Sequence, residues 1–325
     1  MRRVKPYPKR QIKRVIGTYD DGVEGPLIIA VACLHGNEFM PYRAIDYAVK
    51  MLEVEHITKP DFVYRGKFIG LCGNLRATKL GQRFIDKDLN RIWSEELVER
   101  ISDHQNIPEC EEEAELQVVW QRILKEVRQH KGGPVVFLDF HTTSADGGVF
   151  CMPAHERASL DLAFELYLPV VEGLMETVPN SCLSFMSEKH LGKPAVAISI
   201  EVGQHQDINS VYVAIAALIN AMRKTGAVQE EDVESRHDDI LKRYAEGLPR
   251  LSRLRYIHPV KRGDGFKMEP GFSNFQSITK GTLLATDASG SIHCQEDRIL
   301  LMPLYQEKGS EGFYLIEKDE SFGYF

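Results

Sequence analysis

The run His35-Gly36-Asn37-Glu38 sets an imidazole and a carboxylate three residues apart. On a turn between a strand and a helix the two can face one point. Both suit zinc, whose catalytic sites keep three protein ligands and one open position. The same spacing also arises as a helix cap, so a third donor is needed. His141 is a candidate, because it ends the apolar run VVFLDF at the same expected sheet edge. Thr142, Thr143 and Ser144 follow it and can fix ligand geometry or bind a substrate. A hydrogen-bonded strand end is the plainer reading of a lone histidine there. Asp139 alternates with His141 along the strand, in support of either the site or the fold.

Glu201 closes a second apolar run, AVAISI. An ionised group at such a place is costly unless it is paired or has a task. It is either a general base beside a metal or half of a buried salt bridge. Between these residues lies a stretch rich in planar polar groups, Gly73-Asn74-Leu75-Arg76 through Gln82 to Arg91. Its arginines, read without context, are surface charges. In a site they would grip a carboxylate through two parallel hydrogen bonds or stabilise a developing oxyanion.

The elements that must hold these groups can be read from the apolar pattern. LIIAVACL, KFIGLC, VVFLDF and AVAISI are short, nearly continuous apolar runs, as in strands covered on both faces. Helical patterns fall between them, at about Pro41 to Glu55, Glu111 to His130, Glu156 to Thr177 and Ile208 to Arg223. SCLSFMS reads as a further strand. This alternation predicts an α/β fold with a mixed, mostly parallel sheet flanked by helices. Ligands gather at the carboxyl ends of such strands, where His35, His141 and Glu201 are delivered. From about Arg250 the texture shifts to short β runs and glycine turns, so residues 1–247 are expected to form a catalytic domain and 248–325 a smaller β domain.

Composition sets wider bounds. The chain has 325 residues, 43% hydrophobic and 27% charged, with a net charge of -7. No basic face or block supports nucleic-acid binding. No apolar stretch approaches a membrane span, and the basic N-terminus lacks the apolar core of a signal peptide. A cytoplasmic location is expected, with the six scattered cysteines reduced. A homo-oligomer is compatible with the sequence.

LHGNE, NLRA…RFIDKDLNR, DFHTTS and IEVG occur in an order that resembles the aspartoacylase and succinylglutamate desuccinylase family, a branch of the zinc carboxypeptidase-like hydrolases. GFSNFQSITKGTLLA and LLMPLYQEKGSEGF resemble that family's C-terminal β domain, which narrows the active-site entrance. The resemblance implies one Zn2+ per chain on His35, Glu38 and His141, with Glu201 as general base. It implies that Arg83 polarises the scissile carbonyl and that Asn90 and Arg91 grip the substrate's α-carboxylate. One feature departs from the family. The arginine that aspartoacylases carry some ten residues before the glutamate is missing from EKHLGKPAVAISIE, where Lys193 and His190 are the cations present. Tyr305 and Tyr314 both fit the family's substrate-binding tyrosine.

The resulting expectation is a zinc-dependent hydrolase that cleaves the amide of a small N-acyl amino acid. A zinc carboxypeptidase acting on peptides is the enzymatic rival. A non-catalytic zinc-bearing protein is the rival from another class, disfavoured because structural zinc sites are normally closed by four protein ligands.

Overall fold

A computed structural model describes residues 11–103, 107–178, 180–233, 235–261 and 263–325. The first seven strands are β1 (Val15–Asp20), β2 (Val23–Ala32), β3 (Arg65–Cys72), β4 (Val135–Thr143), β5 (Phe150–Pro153), β6 (Val170–Glu172) and β7 (Ala195–Gln204). The rest are β8 (Leu251–Pro259), β9 (Lys267–Met268), β10 (Gln276–Ile278), β11 (Leu283–Asp287), β12 (Gly290–His293), β13 (Arg298–Leu301) and β14 (Glu311–Lys318). Eleven of them form one sheet in the order β1-β3-β2-β4-β7-β5-β6-β8-β14-β13-β10, and β12-β11-β9 form a second. The pairings β3-β2, β2-β4 and β4-β7 at the centre are parallel.

The continuous apolar runs follow from this placement. Ile28, Ala30 and Ala32 of β2 pack into a core layer shared with the helices Met40–Thr58 and Asn209–Lys224. Leu27, Ile29 and Val31 pack on the opposite face, against the helix Glu111–Gln129. A strand buried on both faces has no polar side to show. Beyond β7 the same sheet continues through parallel pairing of β6 with β8, so the C-terminal strands β8, β14, β13 and β10 extend it. The separate three-stranded sheet packs on an apolar cluster shared with β10, β13 and β14, which includes Met268, Leu284 and Phe313. All six cysteines are unpaired. No described helix is long and apolar enough to cross a membrane.

Two expected elements differ. The helix expected over Glu156 to Thr177 ends at Glu165 and is followed by β6 and a one-turn helix, Leu174–Thr177. Pro169 cannot donate to a helix, and Tyr167 turns the chain at φ 54°. Val170 then donates to the Arg250 carbonyl at 3.0 Å and enters the sheet. SCLSFMS is a 3-10 turn, Cys182–Phe185, rather than a strand. The Cys182 amide donates to the distant Asn90 Oδ1 at 2.8 Å and the Ser184 hydroxyl to the nearby Ser181 carbonyl at 2.6 Å, side-chain bonds that stand in place of a ladder.

One buried side chain shapes the arginine-bearing loop after β3. The Glu112 carboxylate accepts from the backbone amides of Ile85, Asp86 and Lys87 at 2.7, 2.9 and 3.1 Å and from Asn74 Nδ2 at 3.1 Å. Glu112→Ala strands those donors, and each buried orphan costs about 1–3 kcal/mol. Chemical denaturation of this variant should therefore show a loss of roughly 3 kcal/mol or more. A change within about 0.5 kcal/mol, typical of a surface substitution, would refute the anchoring role.

Candidate active site

The chain leaves β2 on a sharp elbow. Cys33 adopts φ 59°, a left-handed conformation uncommon for a residue with a side chain. Gly36 then passes so close to the neighbouring loop that a Cβ would lie 2.3 Å from the backbone carbon of Ala77 and 2.5 Å from the Gln82 carbonyl oxygen. Its amide donates to the Arg83 carbonyl at 3.0 Å, which ties the elbow to that loop. The helix Met40–Thr58 follows, with Pro in its first turn. His35 and Glu38 are thereby turned inward, and both are buried.

The Glu38 carboxylate sits between two rings. His35 Nδ1 is 2.8 Å from one of its oxygens, and His141 Nδ1 is 3.0 Å from the other. The three residues offer ligand atoms all within 4.8 Å of one another. Behind each ring stands a second carboxylate. His35 Nε2 is 3.1 Å from Asp88 Oδ1, and His141 Nε2 is 2.9 Å from Asp139 Oδ2. A proton shared on each Nε2 leaves Nδ1 as the free lone pair, the arrangement that orients and strengthens metal-ligating histidines. Burial opposes ionisation of Glu38, but the two facing rings outweigh it and hold the carboxyl well below its usual range. Burial likewise disfavours the His141 cation, yet Asp139 and Glu38 prevail and raise its pKa well above the usual value. Two imidazoles and one carboxylate, with a cavity on the remaining side, fit a divalent metal such as zinc, whose binding would displace any proton on the facing ring nitrogens.

Glu201 stands on β7 directly opposite His141 of β4 in the parallel register. Both line a cavity of about 830 Å³, its open mouth included. Burial pushes the Glu201 carboxyl up to about 8; Glu38 and Asp139 add to this, while His141 and Arg83 work against it. Its Oε2 is buried without a hydrogen-bond partner. No arginine or lysine ion pair to Glu201 occurs among the described residues, so the salt-bridge alternative finds no partner there.

Arg83 lines the same cavity and donates to Asp88 Oδ2 at 3.1 Å from Nη2 and to Glu38 Oε1 at 3.4 Å from Nη1. Asn90 gives its carbonyl oxygen to the Cys182 amide, which leaves Nδ2 toward His141 at 3.5 Å. Arg91 is held side-on by Glu311, with Nε to Oε1 and Nη2 to Oε2 both at 3.0 Å, and Nη1 donates to the Asn90 carbonyl at 2.8 Å. A guanidinium has five N–H donors, so one on each of Nη1 and Nη2 remains for a further acceptor. Burial opposes ionisation of Glu311, but Arg91 holds its carboxyl below the usual range. Tyr314 lines the cavity, whereas Tyr305 donates outside it to the Glu269 carbonyl at 2.8 Å.

Several contacts that support the site carry no signal in the sequence. Asp88 and Glu311 act across 53 and 220 positions, distances at which no local pattern pairs residues. His205 lies 2.7 Å from the Thr142 hydroxyl and 3.3 Å from Gln306 Oε1, and Asn37 Nδ2 donates to that same oxygen at 2.9 Å. These contacts tie the β13–β14 connection to the segments that follow β2 and β7.

The profile of the succinylglutamate desuccinylase/aspartoacylase catalytic domain matches residues 24–224, more than half of the chain. The chain belongs to this family. Succinylglutamate desuccinylase of Pseudomonas paraeruginosa is 25% identical over 290 residues, covering 85% of this chain and 77% of its own. The enzyme of that name from Pseudomonas syringae pv. tomato is 26% identical over 281 residues, covering 84% and 75%. Among solved structures, a succinylglutamate desuccinylase/aspartoacylase from Rhodobacter sphaeroides superposes with a TM-score of 0.62 at 15% identity, over 91% of this chain and 87% of its own. The succinylglutamate desuccinylase of Chromobacterium violaceum gives 0.59 at 17% identity, over 91% and 85%. The family is one of amide hydrolases, and the fold is theirs.

The close approach at Gly36 makes the elbow sensitive to a single methyl group. Gly36→Ala should cost about 1–3 kcal/mol, as overpacking does, and weaken metal binding by roughly tenfold or more, as a displaced ligand support does. Calorimetric zinc titration of this variant checks the point. An affinity equal to that of the wild type would show that the elbow does not set the ligand geometry.

Proposed function

We propose that the protein is a zinc-dependent hydrolase that cleaves the amide bond of a small N-acyl amino acid. The observation that carries this reading is the unpartnered, buried carboxylate oxygen of Glu201 beside the His35, Glu38 and His141 donors. A carboxyl raised toward neutrality by burial is suited to take a proton and give it back near pH 7. Family membership and the named activity of the Pseudomonas relatives support the same chemistry.

His35, Glu38 and His141 would hold one zinc per chain, with Asp88 and Asp139 fixing the rings. Zinc bound there supplies Lewis acidity toward water and toward the scissile carbonyl. Glu201 takes the proton of the attacking water and delivers it to the leaving nitrogen, so one group serves as base and then as acid. Arg83, oriented by Asp88, places its guanidinium where negative charge develops on the carbonyl oxygen. Arg91, held side-on by Glu311, presents its remaining N–H pair together with Asn90 Nδ2 to the substrate's carboxylate. Residues 248–325 supply Glu311, Tyr314 and the Gln306 contact, and so narrow the entrance. A mouth fastened in this way favours a small acyl amino acid over an extended peptide.

Glu201→Gln separates metal binding from catalysis. The variant should keep one zinc per chain by elemental analysis and lose about 10²–10⁴-fold in kcat, as expected for a missing general base. Near-normal turnover in the zinc-loaded variant would place the base elsewhere.

A further inference from the structure

The cavity wall mixes two kinds of side chain. Some carry the charges described above. Others are apolar and include Met152, Leu174, Val178, Leu183, Met302 and Leu304. Met152, Leu174 and Met302 belong to one apolar cluster that also contains Tyr314. Among the described lining residues, the only arginines and lysines are Arg83 and Arg91.

The cations of the wall are already committed. Arg83 faces Asp88 and Glu38, and Arg91 faces Glu311 through a two-pronged pair. The two cations that the sequence offers in place of the family's missing arginine lie elsewhere. The Lys193 ammonium donates to the His130 carbonyl, at the end of the sheet where β4 and β7 begin. The His190 ring stacks on Phe185 at 4.4 Å, and its Nδ1 is 3.0 Å from the Ser187 hydroxyl. Neither lines the cavity. Glu38, Asp139, Glu201 and Glu311 meanwhile place four carboxyl groups on the wall.

These observations bear on the substrate. A first carboxylate finds the free N–H pair of Arg91. A second one would meet only neutral hydroxyl, amide, methyl and thioether groups, near four carboxyl groups and with no unpaired arginine or lysine. Burial of an uncompensated charge is strongly unfavourable, whereas an aliphatic group there leaves water for a matching wall. Resting on the deacylase reading above, we infer that the substrate is a monocarboxylate bearing an apolar group, on its acyl chain or its amino-acid side chain. The relatives' named substrate, succinylglutamate, carries three carboxylates, so this chain and those enzymes differ in specificity.

The test compares four compounds on the zinc-loaded protein: N-acetylleucine, N-hexanoylglycine, N-acetylaspartate and N-succinylglutamate. At least one of the first two should exceed both others by roughly 10–100-fold in kcat/KM, the range that a fitted apolar pocket gives. Whichever of the two leads shows whether the side chain or the acyl chain meets the apolar wall residues. A dicarboxylate or tricarboxylate hydrolysed equally well or better would overturn the inference while leaving the amidase reading intact. Failure to hydrolyse any of the four would count against the amidase reading. Calorimetric binding of the same compounds to zinc-loaded Glu201→Gln then decides the specificity on its own. Tighter binding of the apolar pair supports the inference, and equal or tighter binding of the acidic pair refutes it. Leu304→Arg, at a half-buried wall position, should shift the ratio toward N-acetylaspartate by at least roughly tenfold with zinc content unchanged. Should that variant misfold, Leu174→Arg, also half-buried, puts the same charge on the apolar wall. An unshifted ratio in a folded variant contradicts the assignment.

Discussion

The structure turns on one electrostatic arrangement, a buried glutamate held between two imidazole rings that are each gripped from behind by an aspartate. Glu38 alone, in an apolar interior, would remain protonated. The His35 and His141 rings keep it ionised, and Asp88 and Asp139 keep those rings turned with Nδ1 inward. These five groups stand on three separate supports. The elbow after β2, the end of β4 and the loop braced by Glu112 must all be in register before the donors meet. The parallel pairing of the central strands supplies that register, with Val31 beside Asp139 and His141 beside Glu201.

The rest of the cavity answers the same charge balance. Arg83 and Arg91 each offset a wall carboxylate, and Glu201 is the carboxyl left without a partner. Burial and its acidic neighbours raise it for that reason. The pair between Arg91 and Glu311 also joins the sheet's parallel centre to its C-terminal margin, so the strands after β7 complete the wall as well as the core. Folding the chain and finishing the site are therefore one event.

Much of this was legible in the sequence because local chemistry dictated it. The apolar runs of β2, β4 and β7 named their own strands, and the polar residue that closes each run marked the sheet edge at which His35, His141 and Glu201 meet. The region around Pro169 was misjudged because its apolar spacing suits a helix, while the chain there makes a strand for β8, eighty residues downstream in the sequence. SCLSFMS has the apolar content of a short strand, but Asn90 captures the Cys182 amide. Pairings such as Arg91 with Glu311, or Gln306 with His205, rest on contacts between distant segments and leave no trace in a single sequence. The departure at Lys193 and His190 was visible as an absence, and its meaning came only from where those side chains lie.

X-ray absorption at the zinc edge of the metal-loaded protein tests the central claim most directly. Two imidazoles and a carboxylate predict one zinc per chain with only nitrogen and oxygen neighbours, at about 2.0–2.2 Å. Cys33 and Cys72 lie in the same region of the fold, each hydrogen-bonded to its surroundings, Cys33 to the Glu38 carbonyl and Cys72 to the Thr78 hydroxyl. A sulfur neighbour at about 2.3 Å, or a protein that takes up no zinc, would contradict the account.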